Sequence, residues 1–141
     1  MTSLAAASQL HLLLPITLTT AVCAAFFQFA LTALVIQQRM RTRIGLLDGG
    51  DAVLTRRIRA HANFTENLPI VLLLMLLLEL AGWTTAGLIV SAMAMGLARS
   101  LHAVGILKPR AMWARKSGTL LTMFVMFALA VAGAWMLLKA A

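Results

Sequence analysis

Four long runs of apolar residues, separated by short polar segments, dominate the chain. The runs cover about residues 12–36, 55–80, 85–107 and 118–138. Each run has the length of about 20 residues that a helix needs to cross a hydrocarbon core of roughly 30 Å. None of them has the strict alternation that is typical of a membrane β-strand. The pattern therefore predicts an all-α integral membrane protein with a bundle of four transmembrane helices.

Turn-forming residues lie between the runs. Residues 46–51 read Leu-Leu-Asp-Gly-Gly-Asp, residues 81–83 read Ala-Gly-Trp, and residues 108–110 read Lys-Pro-Arg. Glycine and proline in such segments are typical of short loops. We therefore expect one four-helix domain over residues 1–141.

The composition excludes a water-soluble protein. Hydrophobic residues make up 62% of the chain and charged residues 11%, and the mean hydropathy is +0.94. A soluble domain averages about 45–50% apolar and roughly 25% charged residues. The net charge of +8 would suggest nucleic acid as a partner of a soluble protein. Here the basic residues lie between apolar runs, so the predicted partner is the lipid bilayer and no nucleic acid is expected.

The basic residues also predict the topology. All but Lys139 of the 12 lysines and arginines belong to, or flank, the first and third connections: Arg39, Arg41, Arg43, Arg56, Arg57, Arg59, Arg99, Lys108, Arg110, Arg115 and Lys116. Cytoplasmic loops of membrane proteins carry an excess of such residues. We therefore expect loops 37–54 and 108–117 to be cytoplasmic and both termini to lie on the opposite side.

Polar side chains in the second run are the strongest candidates for chemistry. Arg59, Asn63 and Glu66 are spaced i, i+4 and i+7 and share one helix face, with Asn67 beside them and His61 pointing away. Such groups are costly at membrane depth and mark functional sites by default. A cation, an amide and a carboxylate in this order match the carboxylate, peptide group and ammonium of an extended zwitterion. The tripeptide glutathione has these groups.

A structural role for Glu66 is an open alternative. Glu66 and Arg99 of the third run can reach the same depth, where a buried ion pair would join the two helices. A cluster of arginines, an asparagine and a glutamate inside a bundle would still mark a polar cavity. The pattern leaves both roles open.

Two isolated residues of the first run have plainer interpretations. Gln28 is predicted to hydrogen-bond to another helix or at an oligomer axis, because an unpartnered amide is costly in lipid. Cys23 is the only cysteine and excludes a disulfide within one chain. Neither it nor the methionines have metal-site spacing, so no metal is expected.

Residues 59–69, Arg-Ala-His-Ala-Asn-Phe-Thr-Glu-Asn-Leu-Pro, resemble the signature R-A-x-x-N-x-x-E-(Y/N)-x-P of the MAPEG superfamily, the membrane-associated proteins of eicosanoid and glutathione metabolism. Segments 48–50, 78–82, 98–105 and 115–118 agree with it, so the resemblance covers about residues 10–138 and is closest to the small bacterial branch. It implies a MAPEG-like homotrimer in the bacterial inner membrane with periplasmic termini. It also implies glutathione as a co-substrate, held between protomers.

The resemblance implies roles for nine residues. Glutathione binding is implied for Arg59, Asn63, Glu66, Asn67, Arg99 and His102, and a contribution from the neighbouring protomer for His61 and Arg39. Arg115 is implied as the catalytic residue that stabilises the thiolate, although an ungapped match would place Trp113 there. From its position alone, His102 is either a hydrogen-bonded core residue or a cavity wall.

The expected function is that of a glutathione-dependent transferase or peroxidase acting on lipophilic electrophiles or hydroperoxides. Lowering a thiol pKa by two units requires about 2.7 kcal/mol, and one cation about 4 Å away supplies up to about 4 kcal/mol at an effective dielectric of about 20. Conjugating members often carry tyrosine where this chain has Asn67, His102 and Ile106, and it contains no tyrosine. The alternative is therefore a non-catalytic membrane protein of the same fold that binds an anionic amphiphile or lipid. A small transporter is a third and less favoured interpretation, because four spans without an inverted repeat differ from known transporter folds.

Overall fold

The computed structural model describes residues 14–140 and consists of four long helices. They are α1 (Pro15–Thr42), α2 (Ala52–Leu80), α3 (Thr85–Leu107) and α4 (Met112–Ala140), with a 3-10 turn at Pro109–Ala111 before α4. Each is long and apolar enough to cross a membrane. Within residues 14–140, the predicted all-helical architecture with four helices that could span a membrane is confirmed. The first two residues of the predicted first run, 12 and 13, lie outside the described residues.

Three helices extend beyond the apolar runs that predicted them, α2 by three residues and α1 and α4 by more. Helix α1 continues from residue 36 to Thr42, and α4 begins at Met112 instead of 118. The additional turns carry arginines and lysines, which are good helix formers and are stable where the helix meets water. Hydropathy thus marks the part of each helix that suits lipid, whereas the helix itself continues into the interface.

Side-chain caps define where α2 and α3 begin. Asp51 accepts the N–H of Leu54 at the start of α2, and Thr84 accepts the N–H of Gly87 at the start of α3. Asp48 binds the N–H of Gly50 and the hydroxyl of Thr55, and these hydrogen bonds hold the pKa of Asp48 below its ordinary value. Because capping oxygens satisfy otherwise free backbone N–H groups, these residues fix the helix starts.

Helix α1 is capped by a residue that is distant in sequence. Glu79, near the end of α2, accepts the N–H of Ile16 at 3.0 Å and the N–H of Thr17 at 2.8 Å. Leu14 precedes the helix and supplies no side-chain cap. A carboxylate at this end also complements the helix dipole. Glu79 therefore joins the start of α1 to the end of α2.

Helices α3 and α4 approach each other so closely that their backbones touch. A Cβ atom on Gly105 would lie 2.2 Å from the backbone nitrogen of Arg115, and one on Gly118 would lie 2.6 Å from the carbonyl oxygen of Ala98. Small residues permit this kind of packing between membrane helices. The close approach brings His102 of α3 near the first turns of α4.

The outer surface of the bundle is strongly apolar. Phe26 and Phe29 of α1 are each 73% exposed, and Phe124 and Phe127 of α4 are 67% and 69% exposed. A soluble monomer rarely presents large apolar patches to water. These faces suit lipid chains or neighbouring helices, as the hydropathy pattern predicts.

Candidate functional site

A polar pocket lies between α2, α3 and the first turns of α4. It has a volume of about 470 Å³, which is within the range of about 300–1,000 Å³ for small-molecule sites. Four of the residues predicted from sequence line it together: Arg59, Asn63, His102 and Arg115. The rest of the wall is formed by Thr55, Arg56, Gly105, Ile106, Pro109, Met112 and Thr119.

The charge of the pocket favours an anionic ligand. Arg56, Arg59 and Arg115 line it, and none of its lining residues in the described part of the chain has a carboxylate. The side chains of Arg59 and Arg115 are exposed and accessible from the pocket. Concentrated charge of one sign in a cleft with apolar walls attracts ligands of opposite charge. A ligand with one or more carboxylates fits this arrangement.

Arg99 joins α3 to α2 through Asn63. Its side chain is buried, with 4% of its surface exposed. Its Nη1 donates to the backbone oxygen of Asn63 at 3.2 Å and to Asn63 Oδ1 at 3.0 Å. The Oδ1 atom is thereby engaged, which leaves the Nδ2 group as the part of Asn63 that a pocket ligand can use.

The structure therefore does not form the ion pair that was one of the two alternatives for Glu66. Within residues 14–140, the hydrogen bonds of Arg99 go to Asn63, and Glu66 is exposed. Asn63 lies one turn earlier on α2 and reaches Arg99 with both a backbone and a side-chain oxygen. Glu66 does not line the polar pocket of the protomer.

His102 is both a hydrogen-bonded core residue and a wall of the pocket. It is 7% exposed, and its Nδ1 lies 2.9 Å from Thr119 Oγ1. The Thr119 hydroxyl donates its proton to the carbonyl oxygen of Arg115 at 3.0 Å. Which of the two atoms donates between Thr119 Oγ1 and His102 Nδ1 depends on which ring nitrogen carries the hydrogen. Both sequence-based interpretations of His102, core residue and cavity wall, therefore apply.

His61 and Asn67 lie outside the pocket. His61 Nε2 is 2.6 Å from Gln28 Nε2 on α1, and Gln28 Nε2 also donates to Thr65 Oγ1 at 3.0 Å. This contact is the interhelical hydrogen bond expected of Gln28. Asn67 Nδ2 donates to the backbone oxygen of Asn63 at 3.0 Å. Neither side chain reaches the polar pocket of its own protomer.

Arg39 also lies outside the pocket and holds the α1–α2 loop. Its Nη1 donates to the carbonyl oxygens of Ile44 and Gly45 at 3.1 Å each and of Leu47 at 3.0 Å. Leu47 has a φ of 52°, a conformation that residues other than glycine rarely adopt. Contacts of Arg39 and His61 with a ligand of a neighbouring protomer remain a prediction.

Sequence reasoning did not single out Thr119 or Gly105, which also shape the site. Thr119 orients His102, and Gly105 lets the α4 backbone approach close to the pocket wall. A threonine at the start of an apolar run gives no local signal of this role. Only the packing of α3 against α4 reveals it.

Comparison with known proteins agrees with this architecture. The family model of the MAPEG family matches residues 17–135. Over 101 residues the chain is 31% identical to the inner membrane protein YecN of Escherichia coli (strain K12), a match that covers 72% of this chain and 76% of that protein. YecN of Escherichia coli O6:H1 (strain CFT073) matches to the same extent. The chain therefore belongs to the MAPEG family.

Proposed function

We propose that the protein is a membrane-bound glutathione-dependent transferase or peroxidase that acts on lipophilic electrophiles or hydroperoxides. One observation carries the proposal: Arg59, Asn63, His102 and Arg115 line a single pocket to which residues 14–140 contribute three arginines and no carboxylate. Membership of the MAPEG family supports the same conclusion. Glutathione is an anionic ligand that fits both the charge of the pocket and the membership of this family.

Binding follows from the chemistry of the pocket wall. Arg59 presents a planar pair of donors that matches a carboxylate, and the Nδ2 group of Asn63 is free to donate to a peptide oxygen. Charge-assisted hydrogen bonds of this kind contribute about 1.5–3 kcal/mol each. The tripeptide is therefore held along α2, with its sulfur toward α4.

The chemical step requires a thiolate. In this proposal Arg115 stabilises the negative charge on sulfur, and the thiol proton passes to water or to the neutral ring of His102. The thiolate then forms a carbon–sulfur bond with an electrophile and expels the leaving group. With a hydroperoxide, two thiols become one disulfide while the peroxide becomes an alcohol and water.

We further propose a homotrimer in a bacterial inner membrane, with both termini in the periplasm and loops 37–54 and 108–117 in the cytoplasm. The basic residues of these loops and the printed description of YecN as an inner membrane protein support the location. In the trimer, His61 and Arg39 contact glutathione that is bound to the adjacent protomer. Native mass spectrometry in detergent tests the assembly, and a monomer or dimer would contradict it.

The direct test of function is glutathione binding followed by turnover. We expect the purified protein to bind glutathione with a dissociation constant well below about 10 mM and to conjugate it to 1-chloro-2,4-dinitrobenzene. A dissociation constant above about 10 mM would contradict the proposal. Binding without turnover of electrophiles or hydroperoxides would favour the second candidate, a non-catalytic protein for an anionic amphiphile. The absence of tyrosine from the chain is the observation that favours it.

A further inference from the structure

The loop between α1 and α2, residues 43–51, presents two leucines to its surroundings. Leu46 is 85% exposed and Leu47 is 84% exposed, more than any other large hydrophobic residue in the described part of the chain. The next most exposed, Met40 and Leu138, are each 75% exposed and belong to the long helices. Contact of the loop leucines with water is unfavourable, because transfer of apolar surface out of water lowers the free energy. The loop therefore has a surface that an apolar partner would cover.

The outward position of the two leucines is fixed by hydrogen bonds of the loop. Arg39 Nη1 donates to three carbonyl oxygens of residues 44–47 and so ties this segment to the end of α1. Ile44 is half-buried, and a Cβ atom on Gly49 would lie 2.8 Å from the Cδ1 atom of Ile44. The loop thus packs Ile44 against Gly49 and leaves the two leucines outside.

The loop lies close to the level at which α1 leaves the hydrocarbon. The apolar run of α1 ends at about residue 36, and Arg39 follows about 4.5 Å later at the helical rise of about 1.5 Å per residue. The carbonyl oxygen of Leu47 is 3.0 Å from Arg39 Nη1, so the loop stays beside this side chain instead of extending away from the helix end. The headgroup layer on each side of a hydrocarbon core of roughly 30 Å is about 5–7 Å thick. We therefore expect the leucines at the level of the headgroups.

The charge around the leucines suits phosphate. Arg41 and Arg43 are exposed. Asp48 and Asp51 are half-buried and accept hydrogen bonds within the loop and from α1 and α2. Exposed cations beside exposed apolar side chains are typical of segments that bind a phospholipid surface. The same loop of a second copy is a poorer partner, because the exposed arginines of the two copies would repel each other.

We propose that the α1–α2 loop anchors this end of the bundle in the phospholipid headgroup layer, with Leu46 and Leu47 inserted among the headgroups and Arg41 and Arg43 beside the lipid phosphates. The partner is the lipid surface outside the bundle, so the proposal does not rest on glutathione binding or on which side of the membrane the loop lies. The hydrogen bonds of Arg39 hold the leucines in position before they meet lipid, so little conformational entropy is lost on insertion.

The test is paramagnetic broadening of leucine methyl NMR signals of the full chain in nanodiscs of phosphatidylcholine and phosphatidylglycerol. One quencher is phosphatidylcholine with a doxyl group at carbon 5 of its acyl chain, and the other is a gadolinium chelate in the water. We expect the methyl signals of Leu46 and Leu47 to lose most of their intensity with the doxyl lipid and little with the chelate. Leu54, which is fully buried at the start of α2, is the control that neither quencher reaches.

Two other results of this measurement would overturn the proposal. Stronger broadening of the loop leucines by the chelate than by the lipid would show that they lie in water. Protection of both leucines from both quenchers would show that protein, such as a second copy of the chain, covers them.

Replacement of the leucines tests whether they hold the loop in the lipid. The double variant Leu46→Asn and Leu47→Asn suits the loop fold, because asparagine adopts a φ near 52° more readily than leucine. The control is Leu137→Asn with Leu138→Asn, two exposed leucines at the far end of α4. We expect the chelate to broaden the amide signal of Gly45 in the loop variant and to leave it at wild-type intensity in the control. Wild-type intensity in the loop variant would overturn the proposal.

Charge removal tests the arginines. Arg41→Gln with Arg43→Gln keeps polar side chains, and Lys139→Gln, which removes an exposed cation at the far end of α4, is the control. We expect the double variant to weaken the broadening of the Leu47 methyl signals by the doxyl lipid and the control to leave it unchanged. Unchanged broadening in the double variant would overturn the assignment of these arginines to lipid phosphates.

Discussion

Two arginines on opposite walls of the polar pocket have separable roles in the proposed reaction. Arg59 and Arg115 are both exposed and line the pocket, but they come from α2 and α4. A cation that binds the peptide part of glutathione should affect the affinity for glutathione, whereas a cation beside the sulfur should affect the pKa of the thiol. Substitution of each in turn therefore distinguishes recognition from chemistry.

We expect Arg59→Ala to weaken glutathione binding by about 1.5–3 kcal/mol, the value of a charge-assisted hydrogen bond. Arg115→Ala should weaken binding much less but raise the pKa of the bound thiol, seen as loss of thiolate absorbance near neutral pH. Arg41→Ala, an exposed arginine outside the pocket, is the control for both measurements. If the two effects are exchanged, the bound peptide runs in the opposite direction.

The cap that Glu79 provides is expected to contribute measurably to stability. Glu79→Gln removes the charge and one of the two acceptors for the N–H groups of Ile16 and Thr17. We expect a loss of about 0.5–2 kcal/mol in the free energy of unfolding, measured in mixed detergent micelles. Glu66→Gln is the matched control, because Glu66 is exposed and does not pair with Arg99. Equal losses in both variants would contradict the capping role.

At the scale of elements, the α1–α2 loop is held in part by hydrogen bonds to the carboxylate of Asp48. The N–H of Gly50 and the hydroxyl of Thr55 lower the pKa of Asp48 in the folded protein. Because the pKa is lower in the folded protein, these bonds stabilise the loop fully at pH values above the pKa of the unfolded state. They are lost as the pH falls through the pKa of the folded state. The NMR shift of the Gly50 amide should therefore titrate with a midpoint below that of aspartate in an unfolded peptide. A midpoint at or above that value would contradict this assignment.

The contact between α3 and α4 depends on two glycines. Gly105→Ala and Gly118→Ala would place a methyl group within 2.2 Å and 2.6 Å, respectively, of backbone atoms of the facing helix. We expect each variant to lose about 1–3 kcal/mol of stability, as overpacked sites do. Gly133→Ala, where a Cβ meets nothing within 4 Å, should lose nothing. Unfolding in mixed micelles compares the three, and a similar result for all would contradict the close-contact interpretation.

The helices could be predicted from hydropathy because lipid demands long apolar segments, but their ends could not. The polar turns that contain Arg39 and Arg115 are helical because of helix propensity and capping. A hydropathy scale measures neither of these. Helical spacing correctly predicted that Arg59 and Asn63 line one pocket. The same spacing predicted Glu66 beside them, but Glu66 lies outside the pocket. The roles of Glu79 and Gly118 depend on residues that are distant in sequence. Only the packed structure reveals such contacts.

For the whole molecule, the distribution of basic residues predicts one orientation in the membrane. A reporter active only in the cytoplasm should give a signal when inserted within residues 48–51 and none when fused after Ala141. The physical reason is that lysines and arginines near short loops resist translocation. The opposite pattern would contradict the proposed topology.

The length of the helices sets how the molecule depends on bilayer thickness. Helix α1 has 28 residues and α4 has 29, so each is about 42–44 Å long against a hydrocarbon core of about 30 Å. We expect the excess at the arginine-rich ends to carry the mouth of the polar pocket beyond the hydrocarbon. A thicker bilayer would draw the pocket mouth toward the lipid or reduce helix tilt. Membrane composition is thus expected to tune access to the polar pocket.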